Sequence, residues 1–374
     1  MSACIVDHLK KHYAPNTMNR QQRLSSLDAL RGLVLFLLVF LQPVLWSLLS
    51  RIDAPFATAL LYHLDHEVWE GFRFWDLVMP LFLFMSGTSM PFSFSRFLRD
   101  EAPKSVAYRK ICRRFIILFV LGMIVQGNLL GFNLHAIYIY TNTLQAIAVG
   151  YVIAALLVLH FRWRGQLVGI ALLLLGYALP MTLCGDFTLE GNLASRIDAI
   201  VLGRFQGDPT YAWLLPSLTF GVTVMLGAMA GQIIRSGRQR PGRTCLTLAV
   251  IGAGLVVAGW LWGFQMPIVK RIWTCSMTLL SAGYCFLLLA AFYGWMDVLN
   301  HRRGLEWLKI YGMNSIVAYM LGEVINFRSI VSSVSYGLEP LLGAYYPTWL
   351  TFGNALILFF ILRWMYRQKM FVKI

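Results

Sequence analysis

The polar stretch at residues 65–87 carries residue types from which proton-transfer chemistry is built. His66 lies between Asp65 and Glu67, and Asp76 follows just before an apolar run. A neutral imidazole can take a proton from an attacking amine or hydroxyl, or can itself accept an acyl group, while a nearby carboxylate fixes its tautomer. We therefore predict a catalytic role for His66, with Asp76 or Glu323 as the candidate carboxylate that orients it. The alternative is a loop histidine that only faces water.

A metal site is a second interpretation of the same stretch. His63 and His66 are spaced i, i+3 around Asp65, and zinc accepts such ligands. A third or fourth ligand is not evident at a recognisable spacing, so we predict no metal. The six cysteines are scattered without a CxxC pair and read as small apolar residues.

Further charged residues accompany apolar segments. Burial of a carboxylate in a membrane is costly, so Glu323 and Asp76 are expected to face the bundle interior and to have partners. Such groups line a substrate or proton path, or form structural hydrogen bonds. Asp28 and Arg31 are one helical turn apart in SLDALRGL. With Ser25 this pattern resembles a helix cap, although Arg31 could instead meet a phosphate.

The composition indicates which elements must hold these residues. The chain has 374 residues, of which 58% are hydrophobic and 13% are charged, against about 25% charged in a soluble domain. Runs of about 20 apolar residues recur, and backbone in lipid must be helical. We predict an all-α polytopic membrane protein: a cytoplasmic tail at 1–22, then one bundle of about ten transmembrane helices filling 23–374. The predicted spans are 32–50, 74–95, 112–131, 143–161, 165–184, 213–234, 244–264, 272–295, 310–326 and 347–366, with 327–346 as a loop or re-entrant segment.

The distribution of Lys and Arg predicts the orientation of this bundle. Of the 32 basic residues, 25 fall on the side of the N-terminus and seven on the opposite side. The positive-inside rule then places both termini in the cytoplasm. The net charge of +15 is thereby explained as an orientation signal, and no nucleic-acid partner is needed. The candidate polar residues separate into an inner cluster and an outer cluster: Asp28, Arg31, Asn314 and Ser315 inside; Gln42, His66, Asp76, Gln145 and Glu323 outside.

Several stretches, in order from about Arg23 to Ile374, resemble one family. They are RLSSLDALRGL, HEVWEG, WDLVMPLFLFMSG, RIDAIVLGRF, YGMNSIVAYMLGEV and the closing YRQKMFVKI. Together they are similar to the heparan-α-glucosaminide N-acetyltransferase family and its bacterial relatives. The resemblance implies an enzyme of the bacterial inner membrane that moves an acetyl group from cytoplasmic acetyl-CoA to an amino sugar on the periplasmic side, and a homodimer is a plausible assembly.

The resemblance also assigns roles to residues. The family's catalytic histidine falls on His66, and an asparagine of the family is replaced by Gln42, which would donate to the thioester oxygen. Two further family positions differ, at Ala146 and Gly322. The remaining expectations are phosphate and donor contacts from Arg31, Asp28, Asn314 and Ser315, and acceptor contacts from Trp69, Gln145 and Glu323.

A transport function is the alternative that the residues leave open. In that interpretation Glu323 and Asp76 couple the movement of a sugar or another solute across the membrane. The sequence shows no clear inverted repeat of broken helices, which such transporters often contain.

Overall fold

The computed structural model describes residues 24–99, 101–237, 240–301 and 303–372. Within these ranges the regular structure is helical, and one isolated antiparallel bridge joins Glu70 to Val269. The predicted all-α class is therefore confirmed. The tail predicted at 1–22 lies outside the described residues.

Fourteen helices of six residues or more organise the described chain. They are α1 (Ser25–Leu49, with a π-helical turn at Leu37–Leu41), α2 (Pro55–His63), α3 (Val78–Thr88), α4 (Lys104–Val125), α5 (Thr143–His160), α6 (Trp163–Cys184), α7 (Leu193–Leu202), α8 (Ser217–Ser236), α9 (Pro241–Trp262), α10 (Cys275–Tyr293), α11 (Leu308–Met313), α12 (Ser315–Val324), α13 (Arg328–Ser335) and α14 (Tyr346–Arg367).

Seven helical stretches of the described chain are long and apolar enough to cross a membrane: α1, α5, α6, α8, α9, α10 with its π-helical end to Val298, and the stretch Arg328–Arg367. The expected number of ten is not confirmed. The second predicted span is interrupted, because α3 follows the short 3₁₀ helix Phe74–Leu77 and stops before a separate turn, Met90–Ser93. The third, α4, has 22 residues but carries a run of basic side chains in its first half. The ninth is divided into α11 and α12 at Asn314, whose φ and ψ are −120° and 43°.

The stretch before α14 differs from the expected loop. It consists of α13 followed by single helical turns at Tyr336–Leu338, Glu339–Leu342 and Gly343–Tyr345. Helical turns satisfy backbone hydrogen bonds locally, which suits a segment next to lipid.

Helix α8 packs closely in the middle of the bundle. A Cβ added at Gly87 of α3 would lie 1.8 Å from the Val224 carbonyl oxygen, and one added at Gly227 of α8 would lie 2.0 Å from the Phe84 oxygen. Small residues of this kind let membrane helices approach backbone to backbone, where association rests on packing. This contact fixes α3, and with it the Asp76 segment, against the most buried helix.

The connections gather at two ends of the bundle. At the His66 end, the Trp69 indole donates to the Phe187 oxygen (2.8 Å), and Ala212 N donates to the Arg271 oxygen (3.0 Å). At the Asp28 end, the Arg235 guanidinium donates to the Pro91 oxygen at 2.9 Å. The two polar clusters that the sequence separated therefore lie at opposite ends of the helices.

Candidate active site

His66 and Asp76 are in direct contact at the His66 end. The imidazole Nδ1 lies 2.9 Å from Asp76 Oδ1. The Asp76 side chain is fully buried, whereas 37% of the His66 side chain remains accessible. The tautomer with hydrogen on Nδ1 donates to the carboxylate and leaves a lone pair on Nε2, which is the arrangement of a base or nucleophile. The structure thus brings together the two residues that sequence chemistry paired.

The second oxygen of Asp76 is held by backbone. Asp76 Oδ2 accepts hydrogen bonds from Arg73 N at 2.9 Å and from Glu67 N at 3.2 Å. Asp76 is the third residue of the 3₁₀ helix Phe74–Leu77, so its carboxylate reaches back to cap the helix start. The expectation that Asp76 is buried with partners is met, and these bonds fix the oxygen that faces His66.

The loop that carries His66 is braced from its outer side. The Glu67 carboxylate and the Arg73 guanidinium form two parallel contacts of 2.9 Å. Arg73 also stacks over the Tyr62 ring, with Cζ 3.8 Å from the ring centre. Bidentate pairs of this kind are geometrically specific, so the loop has a defined shape around His66.

Lys270 completes the cluster from another part of the chain. Its Nζ lies 2.7 Å from His66 Nδ1, 3.2 Å from Nε2 and 3.2 Å from Asp76 Oδ1, and its side chain is 7% exposed. Burial lowers the pKa of the Lys270 ammonium to about 8, against the attraction of Asp76. Burial also lowers the pKa of His66; Asp76 opposes this shift and Lys270 adds to it.

Sequence reasoning missed Lys270, because it was counted only as one of the few basic residues on the outer side. Two backbone contacts bring it to His66: Gly71 N donates to the Ile268 oxygen at 2.8 Å, and Glu70 bridges to Val269. The sequence did contain a signal that could have identified Lys270. Lys270 and Arg271 are adjacent basic residues in an otherwise apolar connector, on the side of the bundle that has few basic residues.

Gln42 and Trp69 lie close to the His66 loop. Gln42 Nε2 is 3.4 Å from the Leu64 oxygen, two residues before His66. The Trp69 indole N–H is engaged by Phe187, which orients the ring beside the loop. Both positions are compatible with the roles expected from the resemblance.

Gln145 and Glu323 differ from expectation. The Gln145 side chain is buried and occupied by backbone: its Oε1 accepts from Asn142 N at 3.0 Å and from Thr141 N at 2.9 Å, and its amide donates to Ile139. It is the third residue of α5 and closes the capping box with Asn142, the N-cap of that helix. Glu323 is solvent-exposed, and within the described chain it forms no hydrogen bond or ion pair. The carboxylate pair on which the transport alternative rested is therefore not a buried pair.

His63 and His66, which are three residues apart, do not form a metal site in the described chain. His63 is exposed at the end of α2 and its ring meets Tyr62 edge-on. Among the described residues, no group of three or more His, Cys, Asp or Glu side chains has the geometry to hold an ion.

A cavity of about 600 Å³ lies in the bundle and is lined by residues of the Asp28 end. The lining contains polar and charged side chains: Asp28, Arg31, Ser86, Ser89, Arg114 and Ser315. Its other members include Phe82, Thr143, Leu144 and Tyr319. Along α3 and the following turn, the lining from Ser93 to Phe82 corresponds to about 16 Å of helix, and Asp76 lies about 9 Å beyond Phe82. His66, Asp76 and Lys270 are not among the residues that line the cavity.

Three of the four residues expected at the donor line this cavity, and one does not. Asp28, Arg31 and Ser315 are in the lining. The Asn314 amide instead holds the C-terminal segment, donating to the Met370 oxygen at 3.0 Å and accepting from Val372 N at 3.1 Å. Val372 then contributes to the cavity wall, so Asn314 acts on the cavity through the chain end.

Arg114 is the member of the basic run in α4 that reaches the cavity. It donates to Ser86 Oγ at 3.3 Å and lies over the Tyr151 ring at 4.1 Å. Its Nε is buried without a hydrogen-bond partner among the described residues. A buried guanidinium N–H beside a cavity is suited to an anionic ligand.

Comparison with known proteins gives the family. The chain is 25% identical to the human heparan-alpha-glucosaminide N-acetyltransferase over 365 residues, covering 81% of this chain and 53% of that protein. The mouse protein of the same name is also 25% identical, over 384 residues that cover 86% and 56%. The chain thus spans about half the length of these relatives. The family model described as "Heparan-alpha-glucosaminide N-acetyltransferase, catalytic" matches residues 23–260, a range that includes Arg31, Gln42, His66 and Asp76. The chain belongs to this family.

Proposed function

We propose that this protein is a membrane-embedded acetyltransferase that moves an acetyl group from acetyl-CoA to an amino sugar at the opposite membrane face. The observation that carries the proposal is the presence of a cavity at one end of the bundle and of the His66 cluster at the other. The cavity is lined by arginines at the Asp28 end, and the cluster pairs a partly accessible imidazole with a buried carboxylate. A two-ended substrate with an anionic head and a reactive tail fits this layout.

The anionic head of acetyl-CoA is bound at the Asp28 end. Arg31 and Arg114 supply guanidinium groups, which match phosphate geometry better than ammonium groups do. Ser86 and Ser315 add hydroxyl donors to the same wall. The pantetheine arm extends past Phe82 and Tyr319, where the lining becomes aromatic.

The acetyl group is transferred at the His66 end. His66 Nε2 accepts the proton of the acceptor amine as its nitrogen attacks the thioester carbon, or attacks first and carries the acetyl group to the amine. In either route an amide N–C bond replaces the thioester S–C bond, and the proton leaves with the CoA thiol. Gln42 donates to the thioester oxygen as negative charge develops there, and Trp69 offers a ring face to the sugar.

Orientation follows from the basic residues. The Asp28 end lies in the cytoplasm with both termini, and the His66 end faces the periplasm of a bacterial inner membrane. Single cysteines placed at exposed positions of the His66 loop and of the C-terminal segment test this with a membrane-impermeant thiol reagent on intact cells. Labelling of the loop alone supports the orientation, and labelling of the C-terminal segment alone contradicts it.

Activity is tested by mass spectrometry of glucosamine-type acceptors incubated with acetyl-CoA carrying a ¹³C-labelled acetyl group. His66→Ala removes the base and is expected to reduce labelled product by at least about 100-fold. His63→Ala is the matched control, because His63 is exposed and lies three residues earlier on the same segment. Equal loss in both variants, or full activity of His66→Ala, would contradict the proposal.

A further inference from the structure

Lys270 is the charged group of the site that the proposed chemistry does not use. It lies in the connector between α9 and α10, beyond the end of the family match at residue 260. Its Nζ contacts both His66 nitrogens and Asp76 Oδ1 at 2.7–3.2 Å. An ammonium group has donors only, so it competes with the imidazole for the same carboxylate oxygen.

The charges around His66 balance without a proton on the imidazole. Asp76 is fully buried and negative, and Lys270 is almost fully buried and positive, so the pair is neutral. Asp65 is exposed, and its Oδ1 accepts from the backbone N–H of His66 at 2.8 Å. Arg271 turns away, donating to Thr210 Oγ1 at 2.6 Å beside the Tyr211 ring. No other charged side chain of the described residues contacts the imidazole, so Asp76 and Lys270 dominate its protonation.

We propose that Lys270 is a positioning residue of this site: by supplying the positive charge that pairs with Asp76, it keeps the His66 imidazole neutral and available as base or nucleophile. This inference deepens the proposed acetyl transfer and rests on it for its consequence, although the charge balance itself is independent of any reaction. Without Lys270, the buried Asp76 carboxylate draws its counter-charge from His66, which then takes up a proton.

The connector holds Lys270 in place. Thr274 Oγ1 accepts from Val269 N at 3.1 Å and donates to the Pro267 oxygen at 2.9 Å. Trp273, fully buried, adopts a positive φ of 49° and packs its ring edge-on against Phe220 of α8. These contacts hold Lys270 at a fixed position beside His66. A fixed position is required if the charge of Lys270 sets the protonation state of the imidazole.

The test measures imidazole protonation directly. Diethyl pyrocarbonate acylates neutral imidazole only, so the modification rate of His66 as a function of pH, read by fragment mass spectrometry on the full-length protein, gives its midpoint. In the wild type the midpoint lies below 6.5. Lys270→Met raises it by about one pH unit or more. His63, modified in the same samples, keeps its own midpoint and controls for changes in folding or reagent access.

Two further variants complete the test. Lys270→Arg retains the charge, and it leaves the His66 midpoint near that of the wild type. Asp76→Asn removes the negative half of the pair and lowers the midpoint, and Lys270→Gln, which is also neutral but keeps a polar end group, replaces Lys270→Met if that variant does not fold. An unchanged midpoint in Lys270→Met or Asp76→Asn, or a Lys270→Arg midpoint equal to that of Lys270→Met, overturns the proposal.

Acetyl transfer provides the second readout. At a pH one unit below its raised midpoint, Lys270→Met transfers acetyl groups at about one tenth of its own plateau rate. Well above the midpoint, the plateau rate equals that of the wild type. A structural defect would instead lower the rate at every pH. If the wild type transfers no acetyl group, the proposed function fails, whereas the modification midpoints still decide the role of Lys270.

Discussion

At the residue scale, the site depends on which groups contact each oxygen of the buried Asp76 carboxylate. Asp76 has one oxygen bound by two backbone N–H groups and the other directed to His66 and Lys270. The backbone bonds fix the carboxylate, so His66 is oriented by a group that cannot rotate away. The lowered pKa of His66 means that the neutral imidazole persists below pH 6.5, and its reactivity is lost only when the pH falls through that lower value.

Asp76→Asn is expected to reduce acetyl transfer by about 10²–10⁴-fold. The Asn amide can donate to Nδ1 and so favour the tautomer with hydrogen on Nε2, and the negative charge beside the imidazole is lost. The substitution also leaves Lys270 buried without its counter-ion, at a cost of about 3 kcal/mol in the free energy of unfolding. Initial rates and thermal unfolding of the same preparation measure both effects. Glu101→Gln is a matched control on an exposed ion pair with Arg99. A fully active Asp76→Asn protein would exclude Asp76 from the mechanism.

At the scale of elements, interrupted helices place polar groups beside the cavity. The break between α11 and α12 puts Asn314 at a helix junction, where its amide binds the backbone of Met370 and Val372. The chain end thereby becomes part of the cavity wall. The sequence predicted a donor contact for Asn314, whereas its side chain in the structure binds the backbone of the chain itself.

Asn314→Ala is expected to release the segment at Met370–Val372 and to weaken CoA binding by about tenfold, since two hydrogen bonds of roughly 1 kcal/mol each are lost. Isothermal titration with CoA measures the affinity, and limited proteolysis detects release of the chain end. The exposed Asn326 at the end of α12 offers a control, Asn326→Ala. Unchanged affinity together with a protected chain end would contradict this role.

At the scale of the whole molecule, the cavity is lined by segments that lie hundreds of residues apart in the sequence, from Leu24 to Val372. α1, α3, α4, α5 and α12 all contribute to its wall. A ligand bound across several helices stabilises the folded bundle according to its concentration relative to Kd. The proposed function therefore predicts that acetyl-CoA raises the melting temperature of the protein.

Arg114→Gln is expected to remove most of this stabilisation, because it deletes the buried guanidinium that lines the cavity. A charged hydrogen bond is worth about 1.5–3 kcal/mol, which corresponds to a tenfold or greater loss of CoA affinity. Arg113→Gln is the matched control, since Arg113 is the exposed neighbour in the same basic run. Thermal shift at a series of CoA concentrations compares the two. Equal shifts for both variants would place the anion site elsewhere.

The sequence by itself determined the all-α membrane class, placed His66 and Asp76 in one short segment and separated two polar clusters. These follow from local composition: apolar runs require helices in lipid, and the two side chains are ten residues apart in one turn-and-helix segment. Only the tertiary structure decided that Lys270 joins His66, that Arg114 reaches the cavity and that Gln145 closes the capping box of α5. Each depends on contacts between distant segments, such as Gly71 with Ile268, which residue type and spacing do not encode. The predicted number of ten spans is not confirmed, because apolar composition does not reveal where a helix is interrupted.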